Sequence, residues 1–151
     1  MENRTFYNEI LTEHNIRPMH KTKLMEPQKS LRGVNPSCGD DITLQLNVSD
    51  DGIITDGAFF GDGCAISQAS ADMMLDLVIG RSVEEAMSLK DTFLKMIKDK
   101  ITDEELEMLE EAGALKDISH MPSRVKCAVL GWHTLEEMLK GGDSDVSTED
   151  Q

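Results

Sequence analysis

The side chains best suited to chemistry are three cysteines and the carboxylates beside them. Cys38 stands in Asn35-Pro36-Ser37-Cys38-Gly39-Asp40, Cys64 in Gly61-Asp62-Gly63-Cys64, and Cys127 shortly after Pro122. An odd cysteine count fits a disulfide framework poorly; in a reducing compartment such residues are buried, catalytic or metal-bound. Thiolate is both the nucleophile and the form that ligates Zn²⁺ or iron. Three thiolates leave one tetrahedral position, and Asp40, two residues from Cys38, is the candidate to fill it. That donor set carries more negative charge than a divalent ion cancels, so one thiolate could leave and act as a nucleophile. Cysteines near helix N-termini are further expected to have lowered pKa values. Gly39, Gly61 and Gly63 crowd the same place, where tight turns and close backbone approach are needed. Against this, no CxxC spacing joins the three, and a cysteine taken singly is more often a small buried hydrophobe. His14, His20, His120 and His133 are alternative ligands, each more commonly a surface or half-buried residue. His120 is the best placed, just ahead of the segment holding Cys127. No phosphate loop, HExxH, GxSxG or deaminase signature occurs.

The elements that must bring these residues together follow from periodicity. Residues 5–16 predict an amphipathic helix, with Phe6, Ile10 and Leu11 on one face and Tyr7 at its edge. Arg17 to Arg32 has no period and reads as a loop. From Asp41 to Val48, Ile42, Leu44, Leu46 and Val48 alternate with polar residues, which predicts a half-buried strand. Asp50-Asp51-Gly52 is a turn, and Ile53 to Phe60 the return strand. A third strand is expected near Gly33 to Asn35. Helices follow: Cys64 to Ile79, then Ser82-Val83-Glu84-Glu85 as a capping box opening a helix to about Lys98. Thr102-Asp103-Glu104-Glu105 opens another that should end near Gly113, its acidic residues forming a solvated face. The last runs from about Pro122 to Lys140. The hairpin lets Cys38 and Cys64 approach each other; the last helix must then set its N-terminal end beside them. Strands first and helices after predict an α+β domain, a small antiparallel sheet of about three strands covered by helices. One domain is expected over 1–140, with 141–151 an acidic, disordered tail.

The chain has 151 residues, enough for one core without disulfide staples. Its 29 acidic and 15 basic residues give a net charge of −14, which disfavours nucleic acid and anionic membrane surfaces as partners. No apolar run approaches a membrane span and no secretory segment opens the chain, so a cytoplasmic protein is expected.

Asn35-Pro36-Ser37-Cys38-Gly39-Asp40, Gly61-Asp62-Gly63-Cys64-Ala65-Ile66-Ser67-Gln68-Ala69-Ser70 and Lys126-Cys127-Ala128 together resemble the SufU/IscU iron–sulfur cluster assembly family, over about residues 5–140. Tyr7 and His14 fit the family's opening helix. The branch is indicated by departures. IscU members carry a His before the third Cys, after a chaperone-binding Leu-Pro-Pro-Val-Lys segment. Here Met121-Pro122-Ser123-Arg124-Val125-Lys126-Cys127 puts Lys126 in place of that His. Residues 95–117 resemble the SufU insertion, and Arg124 and Trp132 fit the SufU pattern. Asp72 replaces a frequent Ser, and Pro18-Met19-His20 departs from the usual Pro-Arg-Asn.

The resemblance implies a SufE/NifU-like fold and a zinc protein with Cys38, Asp40, Cys64 and Cys127 as ligands. It implies a SufS-type cysteine desulfurase as partner, with downstream iron–sulfur assembly proteins beyond it and Arg124 near the contact. In that mechanism a desulfurase residue replaces one ligand, and Cys38 takes the sulfane sulfur as a persulfide. The alternative is a scaffold on which the same cysteines hold a transient [2Fe–2S] cluster before passing it on. A third reading is a structural zinc domain acting as an adaptor.

Overall fold

The computed structural model describes residues 2–148, with side chains from residue 9 onward; Phe6 and Tyr7 therefore lie outside the described side chains. Helix α1 (Glu2–Ile16) leads through an irregular segment to β1 (Lys29–Asn35), β2 (Asp40–Val48) and β3 (Ile54–Asp62). Helices α2 (Ala65–Val78), α3 (Val83–Ile97) and α4 (Asp103–Met108), a 3₁₀ segment (Glu110–His120), α5 (Pro122–Leu139) and β4 (Val146–Ser147) complete the chain. Among the described residues no helix is long and apolar enough to cross a membrane.

The sheet order is β3-β2-β1-β4. β1, β2 and β3 are antiparallel, with Leu31 opposite Leu44 and Leu44 opposite Phe59. The alternation in β2 holds on its inner face, where Ile42, Leu44 and Leu46 are fully buried. α5 and α2 cover that face, and Phe93 of α3 stacks on Trp132 of α5 with centroids 4.6 Å apart. The class is α+β, as expected.

Four local expectations are corrected. The segment read as a loop to Arg32 becomes strand from Lys29, longer than the piece expected at Gly33 to Asn35. Gly33 hides its inward alternation: it lies against α5, where a Cβ would sit 2.2 Å from Thr134 Oγ1. The sheet has four strands, and the fourth pairs parallel to β1. That strand lies in the tail expected to be disordered; Val146 is buried against the core, which supplies the apolar contact that composition hid. Finally, the helix expected to reach Gly113 stops at Met108 and continues as 3₁₀. Leu109, Ala112, Leu115 and Ile118 are all buried, and their spacing of three is the period of a 3₁₀ helix. The acidic face of this stretch is only partly free in solvent: Glu105 pairs with Lys95, Glu110 with Arg81 and Glu111 with His14.

Candidate metal centre

Four segments converge at one end of the sheet. The turn from β1 to β2 carries Cys38, whose N–H donates to Asn35 O at 3.2 Å. Asn35 and Asp40 are paired across the base of that turn. Asp40 shares the inward face of β2 with Ile42, so its carboxylate is aimed at the helices and is 2% exposed. The β3–α2 junction places Cys64 as the N-cap of α2, where its sulfur accepts from Ser67 N at 3.4 Å. This is the position in which a Ser or Asp oxygen usually caps a helix. Cys127 lies in the second turn of α5 and is fully buried.

Cys127 Sγ is 3.4 Å from Cys38 Sγ, although the residues are 89 positions apart in sequence. Sulfur atoms of these two and a carboxylate oxygen of Asp40 all lie within 4.8 Å of one another. Cys64 is outside that tightest group, yet its N–H donates to Asp40 Oδ1 at 2.8 Å, and its thiol acts on Cys127 by hydrogen bond and charge. Ser67 Oγ donates to the same Asp40 oxygen at 3.1 Å, and Asn35 Nδ2 donates to Asp40 Oδ2 at 3.0 Å. Gly63 makes the approach possible: a Cβ there would meet Ser67 Oγ at 2.4 Å and Asp40 Oδ1 at 3.3 Å.

These contacts decide what the site can hold. A buried carboxylate is costly unless it is paired with positive charge. The three groups that donate to Asp40, the Asn35 amide, the Cys64 N–H and the Ser67 hydroxyl, are all neutral. Its two oxygens accept three hydrogen bonds, which leaves acceptor capacity on Oδ2. Two sulfurs at near-ligand spacing sit beside it, so the donor set fits a soft or borderline divalent cation such as zinc.

The thiols correct one expectation and refine another. Cys127 does not lie at a helix end open to solvent. Burial above all, then hydrogen bonds with Cys38 and Cys64 and the charges of Cys64 and Asp40, push its thiol well above the usual cysteine range. Helix polarity, the basis for expecting a lowered value, is outweighed by desolvation and neighbouring negative charge. Cys38, by contrast, is exposed at the rim, 4.0 Å from Ser123 O at the start of α5. Arg124 is exposed in the same first turn.

No histidine belongs to the group. His120 is exposed near Asp99, and His14 is committed to Asp72 at 2.6 Å. Sequence reasoning missed Asn35 and Ser67, which hold the carboxylate; both lie inside the motifs that carry Cys38 and Cys64, each three residues from its cysteine.

Residues 6–141 match the family described as the NifU-like N-terminal domain. The chain is similar to the iron–sulfur cluster assembly scaffold protein IscU of Thermotoga maritima, 42% identical over 134 residues, covering 89% of this chain and 92% of that one. It is 36% identical over 133 residues to the zinc-dependent sulfurtransferase SufU of Bacillus subtilis, covering 88% of each. A crystal structure named for an iron–sulfur cluster assembly scaffold of the SUF system, from Fervidobacterium islandicum, superposes with a TM-score of 0.80 at 35% identity, covering 87% of this chain and 94% of that one.

Proposed function

Because the chain belongs to the NifU-like N-terminal family of iron–sulfur cluster assembly proteins, we propose that it serves that pathway as a zinc-dependent sulfur acceptor, in the cytoplasm, working with a SufS-type cysteine desulfurase. The single observation that carries this reading is the pairing of an exposed thiol with a buried carboxylate and a buried thiol. Cys38 is at the surface, and Asp40 and Cys127 are buried behind it within ligand reach of one another. The name of the Bacillus relative, a zinc-dependent sulfurtransferase, supports the same assignment.

In this reading Cys38, Asp40, Cys64 and Cys127 hold the metal. Zinc, when bound, supplies the positive charge that keeps the thiols deprotonated. Cys38 does the transfer. Its thiolate attacks the terminal sulfur of the desulfurase persulfide, a new S–S bond forms on Cys38, the donor S–S bond breaks, and the donor cysteine leaves as thiolate. Asn35, Ser67 and the Cys64 N–H keep Asp40 in place while Cys38 moves outward. Arg124, exposed in the first turn of α5, is placed to meet the desulfurase, and the acidic surface governs encounter rate more than final affinity. Downstream iron–sulfur assembly proteins receive the sulfur.

The test is desulfurase turnover with the zinc-loaded protein and its cognate enzyme. Strong stimulation is expected, with persulfide appearing on Cys38 by mass spectrometry; Cys38→Ala abolishes both. Absence of stimulation by a preparation holding one zinc per chain overturns the proposal.

The name of the Thermotoga relative favours a second reading, a scaffold carrying a transient [2Fe–2S] cluster on the same residues. Anaerobic reconstitution followed by transfer to an apo-ferredoxin distinguishes it, since a sulfur acceptor forms no transferable cluster.

A further inference from the structure

Short as β4 is, several contacts tie it to β1. Val146 is buried opposite Gly33, and Ser147 pairs with Val34. Arg32 forks onto Asp41 at 2.8 and 2.7 Å and also reaches Asp145 at 3.0 Å. The next residue, Thr148, donates its hydroxyl to Asn35 Oδ1 at 3.0 Å, and both side chains are buried. On its other side the Asn35 amide nitrogen faces two groups of the metal centre, Asp40 Oδ2 at 3.0 Å and Cys127 Sγ at 3.5 Å. A side-chain amide has one carbonyl acceptor and two N–H donors, and all are used here.

This arrangement places the positive end of an amide dipole between a carboxylate and a sulfur that repel each other when both are ionised. Thr148, holding the carbonyl from behind, fixes the plane of the amide. Without that hydroxyl the amide is free to turn, and Asp40 loses one of its three donors. We infer that Asn35 is a positioning residue for Asp40 and Cys127, locked by Thr148, so that docking of the chain's last described strand controls how tightly the site retains its metal. The inference rests on the metal-site reading above. It adds that this strand acts on the candidate ligands through one amide. Groups around metal ligands commonly alter affinity by about 10–100-fold when removed.

The full chain is titrated with Zn²⁺ against a competing chelator and with Co²⁺ by absorption, as wild type, Thr148→Val, Thr148→Ser and Asn35→Ala. Valine keeps the shape of threonine and removes its hydroxyl. Thr148→Val is expected to weaken binding by about three- to tenfold and to alter the cobalt spectrum, Thr148→Ser to restore both, and Asn35→Ala to weaken binding by about 10–100-fold. Wild-type affinity and spectrum in Thr148→Val overturn the inference, as does a Thr148→Ser protein that behaves like the valine variant. A wild-type chain that binds neither ion through sulfur sinks the metal-site reading instead. The lock is then read in the metal-free protein by NMR: the Asn35 side-chain amide must lose exchange protection in Thr148→Val, and unchanged protection overturns the inference on its own.

Discussion

Asp40 at the start of β2 and Asp72 inside α2 are both buried carboxylates, and the molecule treats them differently. Asp72 is fully buried, accepts from the His20 N–H at 2.8 Å, and faces His14 Nδ1 at 2.6 Å. The hydrogen bond with Asp72 raises the His14 pKa, against the lowering effect of burial. Glu111 approaches the other ring nitrogen at 3.1 Å. That cluster contains its own cation and ties α1, α2 and the 3₁₀ segment together. Asp40 accepts from three neutral donors and stands beside thiols. The first arrangement is complete within the chain and serves stability. The second rests on neutral donors, and thiols rather than an imidazole stand beside its carboxylate. Burial of an acid alone therefore says little; the sign of what surrounds it separates a structural pair from a receptive site.

The comparison is broken most severely at the ligands. Cys127→Ser should lower zinc affinity by more than about a hundredfold, beyond what a supporting residue costs, while leaving the His14–Asp72 pair intact. Chelator competition measures the first, and the NMR signal of the His14 ring the second. His14→Ala should do the reverse. It leaves Asp72 as an uncompensated buried charge, for which about 3–5 kcal/mol is lost, read as a lower urea midpoint, with zinc affinity within about twofold of wild type. A large affinity loss in His14→Ala would show that the two regions are one unit.

pH separates them by sign. His14 has a folded pKa above its unfolded value near 6.5. Its stabilising contribution is therefore complete below that unfolded value and fades as pH rises through the folded one. In the metal-free protein the urea midpoint should fall over that window, and in His14→Ala the fall should vanish. At the thiol site the raised Cys127 pKa means that the proton must leave as metal enters. Zinc affinity should therefore rise with pH over the neutral range, with proton release measurable by titration in buffers of different ionisation enthalpy.

The sequence made the donors legible and left their supports obscure. Cys38, Asp40, Cys64 and Cys127 stand out by type, and the alternation in β2 shows which way Asp40 must point. Capping boxes at Ser82 and Thr102 are local, and the structure contains both. What stayed hidden depends on distant partners. Gly33 interrupts an apolar pattern because α5 lies against it, and Val146 looks like part of an acidic tail until the core is there to receive it. Asp72 is recognisable only as an unusual residue; its meaning needs His14, which lies 58 positions away. Cys127 is near a helix start in sequence, but its burial is a tertiary fact, and burial decides its pKa.

The smallest expected effect tests whether the Asp72 cluster owes its strength to burial or to the number of charges. Glu111 bonds the same imidazole as Asp72, but its side chain is 56% exposed. Water competes for an exposed carboxylate and screens it, so such pairs contribute about 0–1 kcal/mol. Glu111→Gln keeps an oxygen able to accept from His14 Nε2 and removes only the charge. Stability should therefore change by less than about 1 kcal/mol, and the pH at which the His14 contribution fades should move downward, because one of the acids that raises the His14 pKa is gone. A loss as large as that of His14→Ala would mean that the 3₁₀ segment, rather than the buried Asp72, supplies the countercharge, and the contrast between the two aspartates would have to be redrawn around Glu111.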